Sequence, residues 1–315
     1  FGMTMSFAQC DSQINTEAAA AWLLAADSPR SLATGLVLKT AVLGPDLSYQ
    51  DATIDLISGV LEQDQSPVTL SLLSLSCMQA NIENDCIDLG LDAAIVAHDQ
   101  ANLMVRGFLL ASDSDAFSDA MSQAQSMDDR IYDMAVAVND SLRSFAEANQ
   151  LGPLGTETQA IAFSMAWAIP ALKPLTTVCQ TTEVNEVQAC LHIAQLAASS
   201  KSSLVTEMLS WGIRKQLADA AGRPDQVAAL DAQRQAYNAR FMCLQFAPPP
   251  DYWMEIDGAT REAYLIEAAE HGEFAAAEML AANFGTDCPP AITPEESLAA
   301  SETKPLGPGS RPGRR

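Results

Sequence analysis

Asp64-Gln-Ser-Pro-Val-Thr-Leu-Ser-Leu-Leu-Ser-Leu-Ser-Cys77 runs on through Met78-Gln-Ala-Asn-Ile-Glu-Asn-Asp-Cys86 into Ile87-Asp-Leu-Gly-Leu-Asp-Ala93-Ala94. Ser66 before Pro67 marks a helix start: a serine side chain can accept from an unpaired first-turn N–H, and proline lacks the N–H that this turn leaves over. The apolar run that follows ends near Cys77, and Cys86 falls in the first turn of the next helix. Two cysteines placed this way face each other across a short turn, within the reach of a disulfide. The stretch therefore predicts a helical hairpin stapled at its turn.

The same arrangement recurs. Cys179 and Cys190 precede Leu191-His-Ile-Ala-Gln-Leu-Ala197-Ala198 as Cys77 and Cys86 precede Ile87 to Ala94. Pairings of Cys77 with Cys86 and of Cys179 with Cys190 are expected, each closing a ring that stabilises its hairpin by roughly 2–3 kcal/mol through lost chain entropy. Cys243 and Cys288 flank the last helical block, Asp251 to Phe284, and can tie its end back to the preceding helix; Cys10 is left over. Disulfide spacing of this kind belongs to an oxidising compartment, periplasmic or extracellular. No C-x-x-C pair is present and there are only three histidines, so no metal or other cofactor is expected.

Outside these hairpins, long stretches rich in Ala, Leu, Met, Gln and Glu contain few glycines or prolines, and alternating β-branched runs are nearly missing, which predicts an all-α fold. Asp27-Ser28-Pro29 repeats the start signal of Ser66-Pro67, and Tyr49 to Leu61 places Ala52, Ile54, Ile57 and Leu61 on one apolar stripe. An aspartate shortly ahead of an apolar run returns at Asp27, Asp64, Asp99 and Asp128, at intervals of 37, 35 and 29 residues. A spacing near 34 residues predicts stacked antiparallel helical hairpins, an irregular α-solenoid in which neighbours bury each other's apolar faces. Ala97 to Ala124, with Asp99, Asn102, Leu109, Leu110, Ala116 and Ala120, resembles a degenerate tetratricopeptide-type repeat lacking the Trp-Leu-Gly-Tyr set.

Cys179 to Phe284, with its cysteine, polar stretch, second cysteine, Ala-rich helix and Trp211-Gly-Ile-Arg214 hairpin, is similar to uncharacterised exported helical-repeat proteins of bacteria. The similarity reaches back over Cys77 to Met127. It implies fold and compartment and carries no activity. The expected organisation is residues 1–14 as a signal remnant or frayed terminus, 15–150 and 151–288 as two helical-repeat regions, and 289–315 as a disordered tail rich in proline and glycine.

Charge narrows the function. The 315 residues carry 40 acidic and 17 basic side chains, net −23, with 21 acids against 5 bases in residues 1–150. Such a surface repels nucleic acid and anionic membranes, and an electrostatic partner of the first half must be cationic. The longest apolar run, Thr158 to Leu172, is too short to span a bilayer. Phosphate loops, nucleophile elbows and zinc-protease motifs are missing. Of the histidines, His98 and His192 read as structural. His271, four residues after Glu267, could share a proton or a metal with that carboxylate, although its place before Gly272 also explains the pair as a last-turn contact. The adjacent Asp128 and Asp129 read as solvating charge, and Tyr252 and Trp253 as plugs between helices or an exposed recognition patch. The expected function is a protein- or peptide-binding scaffold, with an enzyme centred on His271 as the alternative.

Overall fold

The computed structural model describes residues 16–43, 50–110, 113–151, 175, 178–179, 184–200, 204–247, 257–286 and 288–289. The expected terminus at 1–14, Cys10, the 158–172 run, Tyr252, Trp253 and the expected tail beyond Pro289 lie outside them. Among the described residues are fourteen α-helices and no strand. In order they are α1 (Thr16–Leu24), α2 (Pro29–Leu43), α3 (Gln50–Gln63), α4 (Pro67–Ala80), α5 (Glu83–Asp88), α6 (Leu91–His98) and α7 (Leu103–Leu110). Then come α8 (Ser114–Gln123), α9 (Ile131–Ala148), α10 (Val184–Ser199), α11 (Leu204–Ala220), α12 (Pro224–Phe246), α13 (Gly258–His271) and α14 (Glu273–Ala282).

The proline starts hold: α2 begins at Pro29 and α4 at Pro67. Ser28 accepts from the Ser31 N–H at 3.4 Å. Ser66 does not cap; its hydroxyl donates to the Thr69 hydroxyl oxygen at 3.1 Å, and Asp64 accepts from the Ser66 N–H at 2.8 Å and the Thr69 hydroxyl at 2.6 Å. The acid ahead of the run thus organises this helix start. All four recurring aspartates stand just before a helix, namely α2, α4, α7 and α9. On α3, Ile57 and Leu61 of the expected stripe are buried and Ile54 packs against the core, with Thr53 and Val60 buried beside them; of that stripe only Ala52 is exposed.

α4 has no stripe. From Thr69 to Cys77 every residue is buried, so the helix must be surrounded, and it packs on α2, α3, α5, α6, α7 and α9. Three serines survive in that setting because their hydroxyls bond back along the helix, Ser71 to Pro67 O, Ser74 to Leu70 O and Ser76 to Leu72 O, at 2.8, 2.8 and 3.0 Å. Each buried hydroxyl thereby escapes the penalty of about 1–3 kcal/mol for an unsatisfied group.

α9 joins parts of the chain that are far apart in sequence. It packs on α1, α2 and α4 and also on α13, with Arg143 paired to Glu262 at 2.9 Å and the Ser141 hydroxyl 3.4 Å from that of Thr34. One buried apolar cluster runs from Ala19 to Leu217 and draws on both sides of residue 150. A second joins α9 to α13 and α14 through Tyr132, Ala135, Tyr264, Leu265 and Leu280. In a third, Trp211 of α11 and Tyr237 of α12 meet edge to face with centroids 4.3 Å apart, and Phe274 of α14 lies 4.7 Å from Tyr237. α1 sits so close to α2 that a Cβ on Gly35 would lie 3.0 Å from Leu23 Cβ.

All three expected cysteine pairs lie at disulfide distance, with Cα separations of 6.4 Å for Cys77–Cys86, 5.6 Å for Cys179–Cys190 and 5.7 Å for Cys243–Cys288. Cys77 lies in the last turn of α4 and Cys86 in α5, as the spacing predicts. Cys190 differs: it is the seventh residue of α10, not in its first turn, because α10 already begins at Val184, six residues ahead of it.

Candidate functional site

The densest polar cluster forms where two irregular turns meet, one between α6 and α7 and one between α8 and α9. Gln100, Ala101 and Arg130 all take left-handed backbone angles (φ 53°, 49° and 56°), unusual for residues with a Cβ and maintained by the bonds around them. The turns exchange backbone hydrogen bonds, Leu103 N–H to Ser126 O and Gln125 N–H to Gln100 O, both 3.1 Å. Asn102, fully buried, clips them together. Its amide donates to Asp128 O at 2.8 Å and to Asp99 Oδ2 at 3.1 Å, and its oxygen accepts from the Met104 N–H at 3.2 Å.

Arg130 is the one cation of the cluster, with Asp99 at 2.6 Å, Asp133 at 3.2 Å and Asp128 at 3.8 Å from its guanidinium. Burial pushes the Asp99 carboxyl above its ordinary range despite the Arg130 contact, and burial does the same to Asp133. Burial would lower Arg130, but the Asp99 hydrogen bond together with the charges of Asp99, Asp128 and Asp133 outweighs it, and the guanidinium is held still more firmly protonated. Beside it, burial and then the charge interactions with Tyr264 and Glu273, ahead of the hydrogen bonds to the same two residues, push the Tyr132 phenol far up, and burial raises Tyr264 as well.

From the other side, α10 and α11 grip the α8–α9 turn. His192 Nε2 lies 2.9 Å from Ala124 O, the Ser200 hydroxyl donates to Asp128 Oδ1 at 3.1 Å, and the Thr206 hydroxyl donates to Asp129 Oδ2 at 2.8 Å. Asp129 is 4% exposed, so the reading of Asp128 and Asp129 as solvating charge on a helix is corrected: both lie in the turn before α9 and are bonded across it. A recess here, bounded by Asp128 to Asp133 with Ala268 and Ala269, has about 70 Å³, well below the ~300–1,000 Å³ of a small-molecule pocket. With each of Asp99, Asp128, Asp129 and Asp133 engaged by a partner, the cluster positions helices. Ser126, Asp128 and Asp129, turn-forming residues close together, were the sequence signal for a loop here.

His271 ends α13, its side chain 57% exposed, with Nδ1 3.2 Å from Glu267 and 4.0 Å from Glu270. Among the described residues, no group of three or more His, Cys, Asp or Glu is placed to hold a metal, and no helix is long and apolar enough to cross a membrane. His98 lies exposed in the last turn of α6.

The remaining candidate is the surface of α1–α9. Here Arg106 is buried in a two-point pair with Asp92 (2.7 and 2.9 Å), Arg130 is held by Asp99, and Arg143 reaches Glu262. Lys39 is half-buried, which leaves Arg30 as the one exposed base among described residues 16–151, against twelve exposed acids that include Asp85, Asp88, Asp113 and Asp115. No protein family, curated protein or solved structure matches the chain.

Proposed function

We propose that this chain is an exported helical-repeat protein, of the uncharacterised bacterial kind it resembles, that binds a cationic protein or peptide along α1–α9. The observation that carries the reading is the way this half spends its bases. Arg106, Arg130 and Arg143 are all drawn into pairs, so the twelve exposed acids act outward with Arg30 as the one exposed base against them among the described residues. Such a field raises the encounter rate with positive partners and rejects phosphate backbones. Three cysteine pairs at disulfide distance suit an oxidising compartment. The hairpin-stack reading is supported by the packing of consecutive helices, α1 on α2, α10 on α11, α11 on α12 and α13 on α14. In this reading the stack folds back on itself, because α9 contacts both α1 and α13.

Fluorescence anisotropy with a labelled Lys-rich peptide and a Glu-rich counterpart tests the reading. The Lys-rich peptide should bind, and should weaken as ionic strength rises from about 0.01 to 0.15 M and the Debye length shrinks from ~30 to ~8 Å. Binding should be lost in the triple variant Asp85→Lys, Asp88→Lys, Asp115→Lys. Equal binding of both peptides, or binding indifferent to charge reversal, overturns it.

A further inference from the structure

The three bridges differ in what surrounds them. Cys77, Cys86 and Cys190 have no exposed surface and Cys179 has 1%. Cys243 and Cys288 are only half-buried, and beside them opens a recess of about 280 Å³ bounded by Arg240, Leu244, Glu278, Thr286, Cys288 and Pro289. Thiol–disulfide exchange needs a thiolate to reach one of the two sulfurs, so access decides which bridge reacts. We propose that Cys243–Cys288 is a thiol–disulfide exchange site that a dithiol opens while the other two bridges stay closed.

In the exchange a thiolate of the dithiol attacks Cys288 Sγ from the recess. The S–S bond breaks, its electron pair leaves on Cys243 Sγ, and that thiolate takes up a proton from solvent. The second thiol of the reagent loses its proton and attacks the mixed disulfide, expelling Cys288 as a thiolate that is protonated in turn. The two cysteines gain two electrons and two protons, and the dithiol, having lost them, closes to a cyclic disulfide.

The local structure allows the sulfurs to part without unfolding the body. Cys243 is fixed in the last turn of α12, whereas Cys288 lies past α14, beyond the turn at 283–285. α14 stays seated on α12 through the Arg240–Glu278 ion pair, the Arg240 guanidinium 5.2 Å from the Phe274 ring centroid, and the Tyr237–Phe274 contact. Opening the bridge therefore parts Cys288 from α12 and leaves the helices in place. This site is independent of the acidic surface of α1–α9.

The test uses the intact, oxidised chain. Free thiols are blocked with iodoacetamide, dithiothreitol is added under native conditions, and newly formed thiols are trapped with a heavy-isotope iodoacetamide and located by peptide mass. Cys243 and Cys288 should take up the heavy label on the order of ten-fold or more faster than the other four, with helical circular dichroism unchanged. The double variant Cys243→Ser/Cys288→Ser should show no reductant-dependent label at the same dithiothreitol concentrations. Equal labelling of all six cysteines, or labelling of Cys243 and Cys288 only in denaturant, overturns the proposal.

Discussion

Replacing a helical glycine by alanine should move stability in opposite directions at two positions of this protein. Gly59 lies inside α3 with nothing within 4 Å of where its Cβ would stand, and its φ is not left-handed. Alanine there should add about 1 kcal/mol, the usual helix-propensity difference. Gly35 lies inside α2, where the new methyl would meet Leu23 Cβ at 3.0 Å, Leu24 Cγ at 3.1 Å and the Leu24 backbone nitrogen at 3.1 Å. A backbone atom cannot step aside, so the same gain is opposed by an overpacking cost of about 2 kcal/mol, for a net loss of about 1 kcal/mol. The two variants should therefore differ by about 2 kcal/mol, roughly 30-fold in the unfolding equilibrium constant. Urea unfolding followed at 222 nm reads this directly, provided the slopes of the transitions agree. If Gly35→Ala stabilises as much as Gly59→Ala, α1 does not lie against α2 as described.

Asn102→Ala should cost about 3–4 kcal/mol, the sum of one charge-assisted and two neutral hydrogen bonds left without a partner; a loss under about 1 kcal/mol by urea unfolding would show that the two turns do not depend on it. Cys77→Ser with Cys86→Ser should cost about 2–5 kcal/mol through the looser unfolded chain. A double variant as stable as the oxidised parent would contradict that bridge. Asp99, Asp133 and Asp140 are raised by burial above 3.8, so between 3.8 and their folded values the folded state holds more protons than the unfolded one and stability falls as pH rises. Asp64, despite burial, is held low by the Thr69 hydroxyl and the Ser66 N–H, and Asp257 by the backbone N–H and hydroxyl of Thr260, so their contributions are lost only as pH falls below 3.8. Thermal midpoints should thus peak near pH 3.8, the ordinary carboxylate value, and Asp133→Asn should flatten the fall above it; a midpoint that climbs steadily as pH rises above 3.8 would refute the assignment.

Much of the fold was legible because its signals are local. Ser28-Pro29 and Ser66-Pro67 act within one turn, and the cysteine spacings restrict which helix ends can meet. On α3, Ile54, Ile57 and Leu61 face the core as read, but Ala52 is exposed and Thr53 is buried in its place, a choice set by the neighbouring helices, which no helix carries within itself. The polar junction was not legible. Asp99 and Asn102 stood out as landmarks of a repeat, but their bonds to Asp128 and Arg130 cross more than 25 residues, and those of Asp129 to Thr206 cross 77. Asp128 and Asp129, read as adjacent helix charges, sit in a turn where neighbouring side chains no longer diverge by helical geometry. Likewise, the bases of the first half could be counted in advance, but their withdrawal into Arg106–Asp92 and Arg143–Glu262 depends on tertiary placement.

The position of α9 sets a constraint on how the polypeptide can be made. Its seats on α1, α2 and α4 are complete as soon as it emerges, but Tyr132 and Ala135 wait for Tyr264 and Leu265, well over a hundred residues later. Through that interval of synthesis an aromatic, apolar flank of a finished helix lies bare, a natural handhold for a holding chaperone. A nascent chain stalled before α13 should therefore be retained and sticky, and release should follow only once that late helix closes over the flank.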